Sequence, residues 1–163
     1  MAVFRKQISP GQALQKLRHY CGYQERCHQE VTGKLYSLGV PKAEHGEIIA
    51  TLIADGFLNE ERFATTYAGG KFRINQWGRL KIKHALQQKQ VSEYCIKKAM
   101  KEIDEDQYLS LLNNLAKEKY DSLKSFQWLV RKKKTLDYLI QRGFEPQLIM
   151  AAIEKFSKRS EKE

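Results

Sequence analysis

An internal repeat constrains the fold of this chain more than any other feature of its sequence. Leu35, Leu86 and Leu139 lie 51 and 53 residues apart, and each precedes a turn and then a short apolar segment. A period of about 50 residues is typical of proteins built from repeated helical units, in which neighbouring units cover each other's apolar faces. The repeat therefore predicts tandem modules of one kind.

Apolar residues recur at helical spacing along nearly the whole sequence, and no segment shows the alternation of a half-buried strand. Ser9 and Asn59 are predicted helix N-caps, whereas Gly22 and Gly39 are predicted to end helices. Gly69-Gly70 is predicted to loosen the connection to the fifth helix. We predict an all-α fold of three tandem three-helix, helix-turn-helix-like repeats in an elongated, curved array.

The predicted module boundaries follow the repeat. A first module with the N-terminal segment covers residues 1–56, a second covers 57–103 and a third covers 104–157, followed by a frayed tail at 158–163. The matching turn of each module carries glycine at Gly39 and Gly143 but glutamine at Gln90. This substitution is expected to weaken the helix end by about 1 kcal/mol.

Positive charge is concentrated in the second module. The whole chain has a net charge of +10, and residues 71–101 contain nine Lys or Arg against one acid, Glu93. This excess of positive charge would attract a polyanion such as a nucleic acid. The alternative is that these residues form the solvated face of an ordinary basic helical protein. Cations beside Trp77 are compatible with nucleic-acid binding, since basic side chains contact phosphates and aromatic rings stack on bases. The alternative is that Trp77 is a core residue and that the cations only keep the protein soluble. The candidate residues are Lys71, Arg73, Trp77, Arg79, Lys81 and Lys83.

A second basic run, Arg131–Lys134, lies in the predicted eighth helix. Four successive helical residues point to different sides, so this run cannot form one flat contact surface. Lys132 and Lys133 are nevertheless candidates for a contact with DNA or with a protein partner. The alternative is that they are solvated.

Neither metal binding nor catalysis is indicated. His19, Cys21, Cys27 and His28 lack the paired spacing of structural zinc sites, and we interpret the cysteines as small apolar core residues. The phosphate-binding and hydrolase motifs GxxxxGK[ST], GxSxG and HExxH are absent from the sequence. We expect no enzyme activity, no metal and no cofactor. An odd number of cysteines, no visible secretory signal and no membrane-length apolar segment predict a cytoplasmic protein.

One block carries a family resemblance. Residues 55–67 read DGFLNEERFATTY, which resembles the signature of the RecX family, bacterial regulators of the RecA recombinase. Gly78-Arg79 in the second module and Arg142-Gly143-Phe144 in the third also match, and the resemblance extends over about residues 10–156. The signature residues, interpreted as mainly structural, are Asp55, Gly56, Phe57, Arg62, Phe63 and Tyr67. Arg62 is expected to form an ion pair, and the aromatic residues are expected to pack in the core.

The resemblance implies a regulatory protein that binds in the groove of the RecA–DNA filament. It would modulate, and chiefly inhibit, recombinase activity, and so regulate recombination, DNA repair and the damage (SOS) response. The implied partners are the RecA filament and, through weak direct contact, single- and double-stranded DNA, without a membrane and as a monomer. A stand-alone helical nucleic-acid-binding module with no recombinase partner is the alternative. A helical scaffold with incidental charge is a third possibility.

Overall fold

Helices account for all the regular secondary structure in the part of the chain that the computed structural model describes, residues 7–160. Side chains are described through residue 157. The helices are α1 (Pro10–Tyr23), α2 (His28–Ser37), α3 (Lys42–Ala54), α4 (Glu60–Arg73), α5 (Arg79–Gln88), α6 (Glu93–Lys101), α7 (Glu105–Ser122), α8 (Trp128–Gln141) and α9 (Pro146–Ser160). The predicted all-α fold is confirmed. Of the predicted tail, residues 158–160 continue α9 and residues 161–163 lie outside the described range.

Two of the predicted N-caps are confirmed by their hydrogen bonds. At the start of α1, the Ser9 hydroxyl oxygen accepts from the Gln12 N–H at 3.2 Å, and the Gln12 side chain accepts from the Ser9 N–H at 3.0 Å. At the start of α4, the Asn59 side chain accepts from the Arg62 N–H at 2.9 Å. Each cap satisfies a backbone donor that has no partner within the helix.

The helix interruptions predicted at Gly22 and at Gly69-Gly70 are wrong. Gly22 lies inside α1, and Gly69-Gly70 lies inside α4. An internal glycine costs a helix only about 1 kcal/mol, which is less than the free energy gained by burying one large apolar side chain such as Phe72. Lys71 and Arg73 therefore lie on the last turn of α4 rather than in a loop.

The repeat is visible in the turns that follow α2, α5 and α8. Gly39, Gln90 and Gly143 have φ angles of +75°, +59° and +93°, so all three adopt left-handed conformations. In each turn, the N–H five residues after the repeat leucine donates to that leucine's carbonyl, at 3.1–3.2 Å. The three leucines are fully buried. The equivalent bonds and burial confirm that the modules share one local structure.

The chain divides into two compact units. The first comprises the residues through Tyr67 together with Leu86–Lys98, and the second comprises Ala68–Ala85 and the residues from Ala99 onward. In the first unit α1, α2 and α3 pack together around a buried core, and in the second α7, α8 and α9 do so. Helices α4, α5 and α6 each contribute residues to both units. The module boundaries and the elongated, curved shape stay predictions.

Buried cysteines contribute to the first unit's packing. Cys21 belongs to its core and Cys27 directly precedes α2, and both thiols are free. Burial raises the pKa of each thiol above its ordinary value. Among residues 7–160, none of the helices combines the length and apolarity needed to cross a membrane.

Candidate nucleic-acid interface

The turn between α4 and α5 places Trp77 beside two lysines, one from each helix. The Lys71 Nζ atom lies 4.8 Å from the centre of the Trp77 ring, and the Lys81 Nζ atom lies 4.5 Å from it. Ammonium groups at such distances are attracted by the negative faces of aromatic rings. We call Lys71, Trp77 and Lys81 the Trp77 cluster. Sequence analysis predicted all three residues as nucleic-acid contacts, and the structure brings them together.

The position of Trp77 depends on how this turn is held. Gln76 has a left-handed φ of +56°, and the Trp77 N–H donates to the Lys71 carbonyl at 3.1 Å. From the end of α8, the Arg142 Nη1 atom donates to the carbonyls of Asn75 and Gln76 at 3.1 and 3.4 Å. The turn is therefore fixed by backbone bonds and by one distant arginine.

Arg73 and Lys83 are exposed but lie outside the Trp77 cluster. The guanidinium of Arg73 folds back along α4 and lies beside Gly69. A Cβ atom added at Gly69 would be only 2.8 Å from the Arg73 Nη1 atom. Lys83 is two residues from Lys81 on α5, and helical residues at that spacing do not face each other. Two apolar side chains near the turn, Ile74 and Leu80, are also exposed.

Arg79 occupies a different environment from the other candidate cations. Its Nε atom lies 2.9 Å from a Glu145 oxygen, its Nη1 atom lies 2.9 Å from a Glu105 oxygen, and its guanidinium lies 3.9 Å from the centre of the Tyr108 ring. Burial by itself lowers the pKa of Arg79, but the Glu105 hydrogen bond and the Glu145 charge outweigh it and raise the pKa. Two carboxylates thus neutralise this cation, and Arg79 is not part of the proposed contact surface.

Tyr108 completes the network around Arg79. Its hydroxyl donates to Glu145 at 2.7 Å and accepts from the Arg79 backbone N–H at 3.0 Å. Burial raises the pKa of Tyr108 well above its ordinary value, so the hydroxyl stays protonated and remains a donor at neutral pH. Sequence reasoning missed the network because Arg79 is separated from its two carboxylate partners by 26 and 66 residues.

Two of the motifs that carried the family resemblance contact each other. The Gly78 N–H donates to the Arg142 carbonyl at 2.8 Å, and the Leu80 N–H donates to the Gly143 carbonyl at 3.0 Å. A Cβ atom on Gly78 would lie 2.3 Å from the Gly143 carbonyl. Glycine at Gly78 is therefore required by a direct contact between two backbones.

Two charged residues of the signature, Arg62 and Asp55, form ion pairs within the first unit. The Arg62 Nε atom lies 2.6 Å from a Glu25 oxygen, and its Nη2 atom donates to the Gly56 carbonyl at 2.9 Å. Asp55 lies 2.9 Å from the Arg18 guanidinium. The interpretation of Arg62 as an ion-pair partner is confirmed.

The aromatic residues of the same block are packed. Phe63 is buried, and its ring centre lies 5.6 Å from that of the partly buried Tyr67. Phe57 is partly buried against the core of the first unit. Their predicted packing role is confirmed.

The second basic run points in several directions, as predicted. The Arg131 guanidinium lies 3.7 Å from the centre of the Tyr120 ring and donates to the Tyr120 carbonyl at 2.8 and 3.1 Å, which satisfies the end of α7. The Lys133 Nζ atom lies 3.2 Å from Asp137. Lys132 and Lys133 line a largely apolar groove of about 370 Å³. A functional role for either lysine stays a prediction.

These features define a class of protein, the all-helical repeat protein with a cationic and aromatic surface. Two family models match the sequence, "RecX, second three-helix domain" over residues 59–100 and "RecX, third three-helix domain" over residues 105–153. Together they cover more than half of the chain. The chain belongs to the RecX family, which is a family of regulatory proteins.

Similar proteins agree with this assignment. The regulatory protein RecX of Bacillus cytotoxicus is 28% identical over 142 residues, which are 87% of this chain and 53% of the relative. That of Bacillus mycoides is 24% identical over 144 residues, 88% of this chain and 53% of the relative. The chain thus spans about half the length of the curated relatives it matches.

Solved structures show the same fold. The crystal structure of RecX from Lactobacillus salivarius superposes with a TM-score of 0.83 at 22% identity, covering 91% of this chain and 96% of that chain. A crystal structure of a regulatory protein RecX superposes with a TM-score of 0.81 at 20% identity, covering 90% of this chain and 71% of that chain.

Proposed function

We propose that this chain regulates a RecA recombinase by binding to the RecA–DNA filament, with the Trp77 cluster contacting DNA. Membership of the RecX family supports the regulatory role, and its relatives are named regulatory protein RecX. The observation that carries the DNA contact is the position of the Lys71 and Lys81 ammonium groups against the Trp77 ring.

The proposed contact combines two physical effects. The two ammonium groups neutralise phosphates and release counterions, and this contribution weakens as the salt concentration rises. The indole ring stacks on an unpaired base, which is tolerant of sequence because every base has a π-face. Because such contacts do not depend on base sequence, they suit a protein that acts along the whole length of a DNA filament.

Binding in the filament groove would place the protein against recombinase and DNA at the same time. Contacts made from one rigid body share a single entropic cost of association, so affinity for the filament should exceed that for either component. We propose that the protein acts in the cytoplasm as a monomer, stoichiometrically and without catalysis, and that its net effect is inhibition of strand exchange.

The test is a titration into preformed RecA filaments while ATP hydrolysis is followed. Wild-type protein should suppress turnover and saturate at a fixed ratio of protein to filament. A Lys71→Gln/Lys81→Gln variant should require a higher concentration, and its binding should lose about 0.7 to 0.9 units of salt dependence for each phosphate contact removed. Lys117→Gln/Lys124→Gln removes the same charge at exposed positions of the same unit and should behave as wild type.

Two results would contradict parts of the proposal. Equal inhibition by the Lys71→Gln/Lys81→Gln variant and its control at every salt concentration would exclude the Trp77 cluster as the contact. Unchanged ATP turnover together with normal binding to naked DNA would instead support the stand-alone nucleic-acid-binding module.

A further inference from the structure

The first unit contains a cationic cleft of about 570 Å³ between α1 and α2. None of the residues that line it is acidic. Its basic and aromatic lining residues are Lys16, His19, Tyr20, Tyr23, Arg26 and Lys34. Several positive groups facing one concave space attract an anion more strongly than the same groups scattered over a convex surface.

Two of the cations are held in place by the same tyrosine. The Arg26 guanidinium lies 3.8 Å from the centre of the Tyr20 ring, and its Nε atom donates to the Tyr20 carbonyl at 3.2 Å. The Lys34 Nζ atom lies 5.4 Å from the same ring centre. Burial raises the pKa of Tyr20, so its hydroxyl remains neutral at neutral pH and does not offset these positive charges. The cleft is thus preorganised for an anionic ligand.

The cations of the cleft keep their charge available. Within residues 7–157, Lys16, Arg26 and Lys34 form no ion pair, although two carboxylates lie on the same helices or close to them. Glu25 is held by Arg62 at 2.6 Å, and Glu30 is held by Lys89 at 3.0 Å. These pairs direct both carboxylates to other partners. A ligand's phosphate would therefore meet little competition from the protein's own acids.

Tyr23 gives the cleft an open aromatic face. It lies on the last turn of α1 and is 79% exposed, so its ring is available to a ligand. An exposed ring beside phosphate-binding cations is the arrangement that proteins use to hold single strands, because the bases of a single strand are free to stack. Duplex bases are already stacked on each other, and the acidic side chains of a peptide carry no ring.

We propose that this cleft binds a nucleotide unit of a single-stranded nucleic acid, with phosphate oxygens at Lys16, Arg26 and Lys34 and a base against Tyr23. This site is additional to the Trp77 cluster, lies in the other unit and requires no recombinase. A chain with two such sites would hold one strand at two points, or two strands at once.

The test uses the full chain, without recombinase, and a short fluorescent oligothymidylate whose anisotropy reports binding. All variants carry Lys71→Gln/Lys81→Gln, so that binding at the Trp77 cluster is weakened and the cleft is measured. Adding Lys16→Gln/Lys34→Gln should lower affinity at low salt by about tenfold or more and reduce the salt dependence by about 1.4 units, since each single-strand phosphate contact contributes about 0.7. Adding Lys42→Gln/Lys97→Gln instead, at exposed positions of the same unit, should have a much smaller effect.

A second pair of variants tests the stacking contact. Tyr23→Ala should weaken binding by about 5- to 150-fold, whereas Tyr23→Phe keeps the ring and should bind as the parent does. Circular dichroism of each variant checks that the fold is retained, which is expected because Tyr23 is exposed.

Three outcomes would overturn the proposal. The first is the absence of measurable oligothymidylate binding in the parent variant. The second is equal affinity of the Lys16→Gln/Lys34→Gln variant and its control, or of Tyr23→Ala and Tyr23→Phe. The third is displacement of the oligonucleotide by a polyglutamate peptide of equal charge with the same efficiency, which would assign the cleft to acidic peptides.

Discussion

Removal of one hydroxyl group tests whether the network around Arg79 stabilises the second unit. Tyr108→Phe keeps the buried ring, its contact with the Arg79 guanidinium and its packing against Phe72 and Phe144. It removes the hydrogen bond to Glu145 and the acceptor of the Arg79 backbone N–H. The substitution therefore isolates the polar contribution from the packing.

The size of the effect can be worked out from these two bonds. A hydrogen bond to a charged group contributes about 1.5–3 kcal/mol, and a buried donor left without an acceptor costs about 1–3 kcal/mol. Glu145 keeps its ion pair with Arg79, and its side chain is 22% exposed, so water can replace part of the loss. We expect the free energy of unfolding to fall by about 2 kcal/mol. For a chain of this size, Tm should fall by roughly 4–8 °C.

Urea and thermal unfolding of the full chain, followed by circular dichroism, measure this change. Tyr120→Phe is the matched control. Tyr120 is also buried and also has an arginine over its ring, but its hydroxyl has no hydrogen-bond partner within residues 7–157. The control should change stability by no more than about 0.5 kcal/mol. A Tyr108→Phe effect as small as that of the control would refute the stabilising role of the network.

Three further predictions concern stability. Gly143→Ala would place a Cβ atom 2.2 Å from the Lys81 Cβ at a φ of +93°, and should lower the free energy of unfolding by roughly 3 kcal/mol or more. Gly33→Ala has open space around it inside α2 and should raise the free energy of unfolding by about 0.5–1 kcal/mol. Similar urea midpoints for the two variants would contradict this. Gln90→Gly should raise the free energy of unfolding by about 1 kcal/mol, because a φ of +59° strains glutamine but not glycine. The urea midpoint should therefore rise, and a lower midpoint would disprove the strain. Burial raises the pKa of the Tyr108 hydroxyl and the Cys27 thiol above their ordinary 10.0 and 9.0, so the unfolded chain loses these protons first. The free energy of unfolding should therefore have its full value below about pH 9 and should fall as the pH rises through the pKa values of the folded protein. A urea midpoint that rises between about pH 9 and about pH 11 would contradict the burial argument.

Much of the helical architecture could be predicted because its signals are local. The caps at Ser9 and Asn59 depend on hydrogen bonds that span three residues. The left-handed turn after each repeat leucine depends on one bond that spans five. Errors arose at Gly22 and Gly69-Gly70, where a helix-breaking propensity of about 1 kcal/mol was weaker than the packing of the surrounding apolar residues.

The candidate site could be predicted only in part. Lys71 and Lys81 lie within six residues of Trp77, so a short turn was enough to bring the three together. Arg79 is equally close in sequence, but its charge is neutralised by Glu105 and by the distant Glu145. The cleft of the first unit was missed, because its cations are spread over both α1 and α2 and the segment between them and form no run.

By itself, the sequence determined the helical class, the repeat of about 50 residues and the excess of positive charge in the middle of the chain. These properties depend on residue types and spacings, which a pattern records directly. Only the tertiary structure decided which cations face solvent or a cleft and which are neutralised by carboxylates. It also decided that Gly78 and Gly143 meet backbone to backbone. The physical reason is that ion pairs, hydrogen bonds and steric contacts act over a few ångströms of space, whatever number of residues separates the partners along the chain.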